Sequence, residues 1–199
     1  KSFRIKKSAN KKIKFIFFSI IHLSKNLHSI INIWKNNYFF NKYELDIYGE
    51  ITDQKYFRKI NYHIKNEKNI NYKGVIKNSV QKILVNYDVF LHPSESENFG
   101  LVIAEAMSYG LPVITSEHTP WKFIEEKKCG WVVKLSERSL LSTINVAKGL
   151  NPIDLKEMGY RGRLLVENKH NWNRLNAKYS EYYNWLNTGG NNPEFVDLF

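Results

Sequence analysis

The chain has 199 residues, 43% of them hydrophobic and 15% aromatic, enough to fill one sizeable domain or two small ones. Its single cysteine, Cys129, excludes an internal disulfide, and no apolar run reaches the roughly 18–20 residues that a spanning helix needs. The formal net charge of +11 is dispersed, without the interleaved arginines and aromatics of a nucleic-acid reader; it leaves a solvated lysine-rich surface, or attraction to an anionic membrane or polyanionic substrate.

Residues 1–13 (KSFRIKKSANKKI) are basic and polar and read as a linker, or as the remnant of a missing N-terminal domain, since the chain opens on Lys1. They lack the long apolar region and small-residue cleavage site of a signal peptide, so a cytoplasmic chain, soluble or peripheral at the inner face of the membrane, is expected. Lys14–Ile20 (KFIFFSI) is an almost continuous apolar run, as a strand buried on both faces should be. His22–Lys25 turns into a helix on which Leu27, Ile30, Ile31 and Trp34 recur at three- and four-residue spacing. Tyr43–Tyr48 is a second strand closed by Gly49, and residues 53–66 are helical. Asn69–Tyr72 is a third strand ending at Gly74. Val75–Asn86 is then a helix with Val80, Ile83 and Leu84 inward. Val89–Leu91, Pro112–Thr115 and Gly130–Val133 are strands four to six. After Leu135 the strands stop, and Ser139–Lys148, Asp154–Asn168 and Trp172–Leu186 read as helices.

This alternation predicts an α/β fold: a Rossmann-like parallel sheet of about six strands, helices on both faces, and a helical C-terminal extension. The expected organisation is one domain over 14–186 and an irregular tail over 187–199. Ligands of open α/β sheets bind beyond the carboxyl ends of the strands. The loops to watch are therefore Ser19–Lys25, Gly49–Asp53, Tyr72–Val75, His92–Gly100 and Ser116–Trp121.

The fourth of these loops opens the most specific stretch, Phe90–Thr115 (FLHPSESENFGLVIAEAMSYGLPVIT). Glu97 lies before a helix and Glu105 inside it, with seven residues between them. Gly110 ends that helix. An amide-rich helix start can hold an anion while the carboxylates hold hydroxyls, which suits a nucleotide-sugar.

The run PSESENFGLVIAEAMSYGLPVI resembles the donor-binding signature of retaining glycosyltransferases of the GT-B fold, the large family 4 or glycosyl transferases group 1. Other pieces follow in that family's order: NINYKG at 69–74, YDVFLHPS at 87–94, TPW at 119–121, CGWVV at 129–133, MGYRGR at 158–163 and WNRL at 172–175. The resemblance runs from about Lys14 onward. It covers the second, donor-nucleotide domain of such an enzyme, and the acceptor-binding domain would precede Lys1.

The resemblance implies a role for each matched residue. Glu105 would accept hydrogen bonds from the donor ribose. Glu97 would lie near the sugar ring, where a carboxylate stabilises oxocarbenium-like charge. Lys25 would bind the diphosphate, with Glu97 and Lys25 forming the catalytic pair. Asn98, Phe99, Gly100 and Leu101 would offer the turn's amides to the sugar and diphosphate, and Gly74 and Val75 would meet the base. No metal and no cofactor are implied beyond a donor substrate, a UDP-, GDP- or similar sugar nucleotide. Ile20 stands where the family usually has a second, arginine cation, and His22 is a weaker substitute. Glu95 reads as a bystander and Trp121 as packing. His92 and His118 read as polar lining without a catalytic role, and Cys129 as an inert core thiol. The competing function is a degenerate, non-catalytic module that binds a nucleotide or a partner; Ile20 and the short chain favour it. A GT-B epimerase or phosphorylase fits less well, for want of the right acid spacing and of a cofactor-lysine motif.

Overall fold

The computed structural model describes residues 13–37, 40, 42–77, 79–169 and 172–196. The basic segment 1–13 therefore lies outside the described residues, except for Ile13. So do 197–199 of the tail and the side chains of 172–175. The chain divides into two units, Lys1–Arg163 and Leu164–Phe199.

The first unit is built on a six-stranded sheet in the order β3-β2-β1-β4-β5-β6, every pair parallel. Strand β1 (Lys14–Phe18) is central, paired to β2 (Glu44–Tyr48) and to β4 (Val89–His92). Phe15, Ile16 and Phe17 are all fully buried there, because helices cover both faces; this is why the run is continuously apolar. Helix α1 (Leu27–Asn36) returns the chain and buries Leu27, Ile30, Ile31, Ile33 and Trp34. Trp34 stands edge-on to Phe15, with ring centroids 5.2 Å apart. Helix α2 (Gln54–Asn66) starts at Asp53, whose carboxylate accepts from the Tyr56 amide at 2.9 Å. It buries Tyr56, Ile60 and Ile64 at four-residue spacing.

Strand β3 (Ile70–Gly74) is one sheet edge. The helix expected over Val75–Asn86 is much shorter: α3 spans Val80–Leu84 and buries only Leu84. Two local features explain this. Gly74 takes a left-handed φ of 78° that ends the strand, and the β-branched Val75 and Ile76 that follow are poor helix formers. After β4 come α4 (Leu101–Ser108), β5 (Val113–Ser116) and β6 (Gly130–Val133). Helix α4 ends as expected at Gly110, φ 78°, where the Leu111 amide bonds the Ala106 carbonyl at 3.1 Å in a Schellman arrangement.

Helix α5 (Glu137–Gly149) begins at Ser136, whose hydroxyl accepts from the Ser139 amide, and α6 (Pro152–Lys169) begins with the proline favoured at a first helical position. Gly159 of α6 lies directly on the turn after α4. A Cβ there would meet the Gly110 carbonyl oxygen at 1.8 Å. In the second unit, α7 (Trp172–Thr188) is closed by the Trp185 indole donating to the Gly190 carbonyl at 3.2 Å. No described helix is long and apolar enough to cross a membrane.

Candidate functional site

The strand order runs 3-2-1 in one direction and 4-5-6 in the other, so the switch point lies between β1 and β4. Ligands of open α/β sheets bind in the crevice beyond the carboxyl ends of the strands at such a switch point. Lys25 follows β1 and Glu97 follows β4.

Side chains of small hydroxyl residues stitch the two loops together. Ser24 in the first loop offers its carbonyl to the Glu95 amide at 2.7 Å and to the Ser94 hydroxyl at 3.1 Å. The Ser116 hydroxyl, at the end of β5, donates to the Ser94 carbonyl. Thr115 donates to the His92 carbonyl at 3.0 Å. Lys25 itself ends a single 3₁₀ turn, Leu23–Lys25, which His22 caps by accepting from the Ser24 amide at 3.2 Å. Asn26 follows in the left-handed region, φ 54°, and its side-chain oxygen accepts from the buried Ser29 hydroxyl at 2.7 Å. The backbone on both sides of the crevice is thus set before any ligand arrives.

The result is a three-residue contact. Lys25 Nζ lies 2.6 Å from Glu97 Oε1, and His92 Nε2 lies 2.6 Å from the same oxygen. Glu97 Oε2 has no hydrogen-bond partner among the described residues. The Glu97 side chain is only 13% exposed. Burial alone would raise its pKa, but hydrogen bonds from His92 and Lys25, with the Lys25 charge, outweigh it and hold the carboxyl well below the usual carboxylate range, at about 2. His92 is 0% exposed and closes β4, with its ring stacked against Phe90 and Phe17 at centroid distances of 5.9 and 6.2 Å. Burial pushes its pKa below the ordinary value, so the ring is neutral at neutral pH. An ionised carboxylate only accepts, so Nε2 carries the hydrogen. Nδ1 is then a bare acceptor, buried and without a partner among the described residues.

Glu105 lies on α4, on the face opposite the buried Ile103, Ala106 and Met107. It is half-buried, its carboxylate makes no hydrogen bond or ion pair among the described residues, and burial raises its pKa. Helix α4 has no side-chain cap. Its N-cap is Gly100, at a left-handed φ of 76°, where a Cβ would press on Ile103 at 3.1 Å. The buried Trp121 donates its indole N–H to the Phe99 carbonyl and so anchors this turn from below. Asn98, Phe99 and Leu101 are exposed on it.

Gly74 and Val75 sit on the same carboxyl edge but at the far strand, β3, with β2 between them and β1. Gly74 accepts from the Gly49 amide at 2.9 Å, and Val75 is exposed. Ile20 is 43% exposed just after β1. Glu95 is exposed, its amide tied to Ser24. Thr119 is buried in the hydroxyl network, 3.2 Å from Thr115, while His118 is exposed. Cys129 is buried, donates to the Ile124 carbonyl at 3.3 Å, and has its thiol pushed up to about 11 by burial. Among the described residues no three His, Cys, Asp or Glu side chains converge as metal ligands would.

Lys25 and Glu97 were thus both legible in the sequence, and the fold brings them into contact. His92 was not, although a strand-ending histidine five residues before a motif acid carries a signal: both leave the same strand end. The Ser24–Ser94 link has no local signal, since it joins residues 70 positions apart.

The sequence model of the family described as glycosyl transferases group 1 matches residues 1–149. The chain belongs to this family. Among curated relatives of this group 1 glycosyltransferase chain is the O-antigen biosynthesis glycosyltransferase WclY of Escherichia coli, 28% identical over 106 residues, or 53% of this chain and 29% of WclY. The chain therefore spans less than a third of that relative's length in the match. Among solved structures, HepE of Anabaena in complex with UDP superposes with a TM-score of 0.78 at 18% identity, over 87% of this chain and 49% of HepE. The C-terminal domain of LpcC, a glycosyl transferase group 1 family protein from Francisella tularensis, superposes with a TM-score of 0.69 at 20% identity. That match covers 79% of this chain and 86% of that domain. These likenesses establish the fold, the Rossmann-like half of a GT-B glycosyltransferase.

Proposed function

We propose that this chain is the donor-binding half of a retaining, metal-independent glycosyltransferase that moves a hexosyl-type sugar from a nucleoside diphosphate sugar to a glycan or lipid-linked acceptor. The observation that carries this reading is the meeting of Lys25 and Glu97 at the β1/β4 switch point, one from each of the two loops. Lys25 takes the charge that grows on the diphosphate as the sugar leaves. Glu97, ionised at neutral pH, stabilises the oxocarbenium-like sugar. Glu105 accepts the two ribose hydroxyls. Its half-buried carboxylate has the capacity for both, being unpaired among the described residues. The turn Asn98–Leu101, exposed but for Gly100, offers amides to the sugar and diphosphate, and Gly74 and Val75 meet the base.

Acceptor binding belongs to a further domain, in keeping with the share of HepE and WclY that this chain spans. Residues 1–199 alone are expected to bind nucleotide weakly and to transfer little or no sugar. Calorimetry with UDP, UDP-glucose and GDP-mannose tests the reading. Binding of one of them supports it. Silence towards all three favours the non-catalytic partner-binding module, for which the exposed Ile20 in place of a cation speaks.

The assembled enzyme is expected to work at an anionic membrane face, with a cytoplasmic location. Helix α2 supports this, since Lys55, Lys59 and His63 recur every fourth residue along one side of it and line a cleft of about 480 Å³ with Ile31 and Ile60. Co-sedimentation with vesicles containing phosphatidylglycerol, compared with neutral ones, checks it. Equal partition to both would refute the electrostatic contact.

A further inference from the structure

The proposed roles of Lys25 and Glu97 conflict with the contact between them. With its ammonium 2.6 Å from Glu97 Oε1, Lys25 is engaged by a carboxylate that the mechanism needs elsewhere. A diphosphate carries more negative charge than one carboxylate and draws the ammonium toward itself. Glu97 then loses a cation at the moment the sugar reaches it.

We propose that His92 is a positioning residue that keeps Glu97 in place and ionised when a bound diphosphate draws Lys25 away. The inference rests on the donor-site reading above. Three observations carry it. The Nε2–H of His92 reaches the same oxygen as Lys25, at the same 2.6 Å, so Oε1 is not released when one donor leaves. The ring cannot follow a moving partner: it is fully buried between Phe17 and Phe90, and its own carbonyl is held by Thr115 at 3.0 Å. Its other nitrogen, Nδ1, is buried with no hydrogen-bond partner among the described residues. A buried polar atom left unsatisfied is costly. Packing alone would be served by an apolar residue, so the ring is retained for what Nε2 does. Because His92 is neutral, it holds Glu97 by a hydrogen bond without neutralising it, and the free Oε2 stays available to the sugar.

The test is a carbon-13 NMR titration of the Glu97 carboxyl in residues 1–199, free and saturated with UDP, in three proteins. His92→Phe keeps the stack with Phe17 and Phe90 but donates nothing, whereas His92→Gln keeps an N–H donor. In wild type, Glu97 should stay depressed well below the ordinary carboxylate range with and without UDP. In His92→Phe it should rise towards that range, and rise furthest in the UDP-bound protein. In His92→Gln it should return part of the way, a rescue that a packing role would not produce. Affinity for UDP itself, held by Lys25 and Glu105, should change less than about twofold in both variants. A Glu97 titration in UDP-bound His92→Phe that matches wild type overturns the proposal. If wild type does not bind UDP, the donor-site reading fails instead, while the free-protein titration still reports whether His92 holds Glu97. Should His92→Phe not fold, His92→Leu, which also donates nothing, takes its place: a Glu97 titration that rises in the UDP-bound protein supports the role, and one that matches wild type contradicts it.

Discussion

Lys25 and His92 converge on a single oxygen of Glu97, each at 2.6 Å, although they come from the first loop and the end of the fourth strand. The other oxygen accepts no hydrogen bond among the described residues. Such an arrangement orients a carboxylate without consuming it. Lys25→Met removes the stronger, charged donor. Glu97 should then titrate higher than the wild-type value of about 2, and UDP affinity should fall about tenfold or more. Calorimetry and a carboxyl titration check the two effects separately; unchanged affinity would remove Lys25 from the diphosphate site.

Acid stability should be lost in two stages. His92 has a folded pKa below its ordinary value of 6.5, so the unfolded chain binds the extra proton first and stability declines as pH falls below about 6.5. Glu97 has a folded pKa of about 2 against an ordinary 4.5. Its contribution is present above about 4.5 and is lost as pH falls from there towards 2. Urea unfolding midpoints measured from pH 7.5 to 3.5 should therefore fall throughout, and His92→Phe should abolish the upper stage. A midpoint that rises between pH 7 and 5.5 would reverse the sign worked out here.

Gly159 of α6 lies against the Gly110 carbonyl in the turn after α4, closely enough that a Cβ would fall 1.8 Å from its oxygen. A methyl at Gly159 must displace the Gly110 carbonyl, which also ends the helix bearing Glu105. Gly159→Ala should cost about 3 kcal/mol, or roughly 10 °C in melting temperature. Gly149→Ala, where a Cβ meets nothing within 4 Å, is the control and should be neutral. Thermal melts of both variants decide; equal melting would mean that the α6 contact is not tight in solution.

Which parts of this architecture could be read beforehand follows from where the information lies. KFIFFSI announces β1 because a strand buried on both faces must be apolar at every position. The Glu97–Glu105 spacing is local, so the two acids and their helix were legible together. The helix after Gly74 was overextended because Val80, Ile83 and Leu84 mimic a periodic face, while the left-handed Gly74 and the β-branched pair after it shorten the helix. His92 differs for another reason. A lone histidine after an apolar strand looks like loop lining, whereas it closes β4, is fully buried and meets the carboxylate that Lys25, 67 positions earlier (92 − 25), also reaches. Contacts of that range are set by the strand order, which a single sequence does not spell out.

The central claim is that the crevice between β1 and β4 holds a sugar nucleotide, and Glu105 tests it most directly. Its carboxylate is half-buried and unpaired among the described residues, so removing its charge breaks no internal contact described there. UDP should bind wild type and bind Glu105→Gln about 10- to 100-fold more weakly, with the melting temperature of the unliganded protein unchanged. UDP binding that is equally tight in both proteins would contradict the claim.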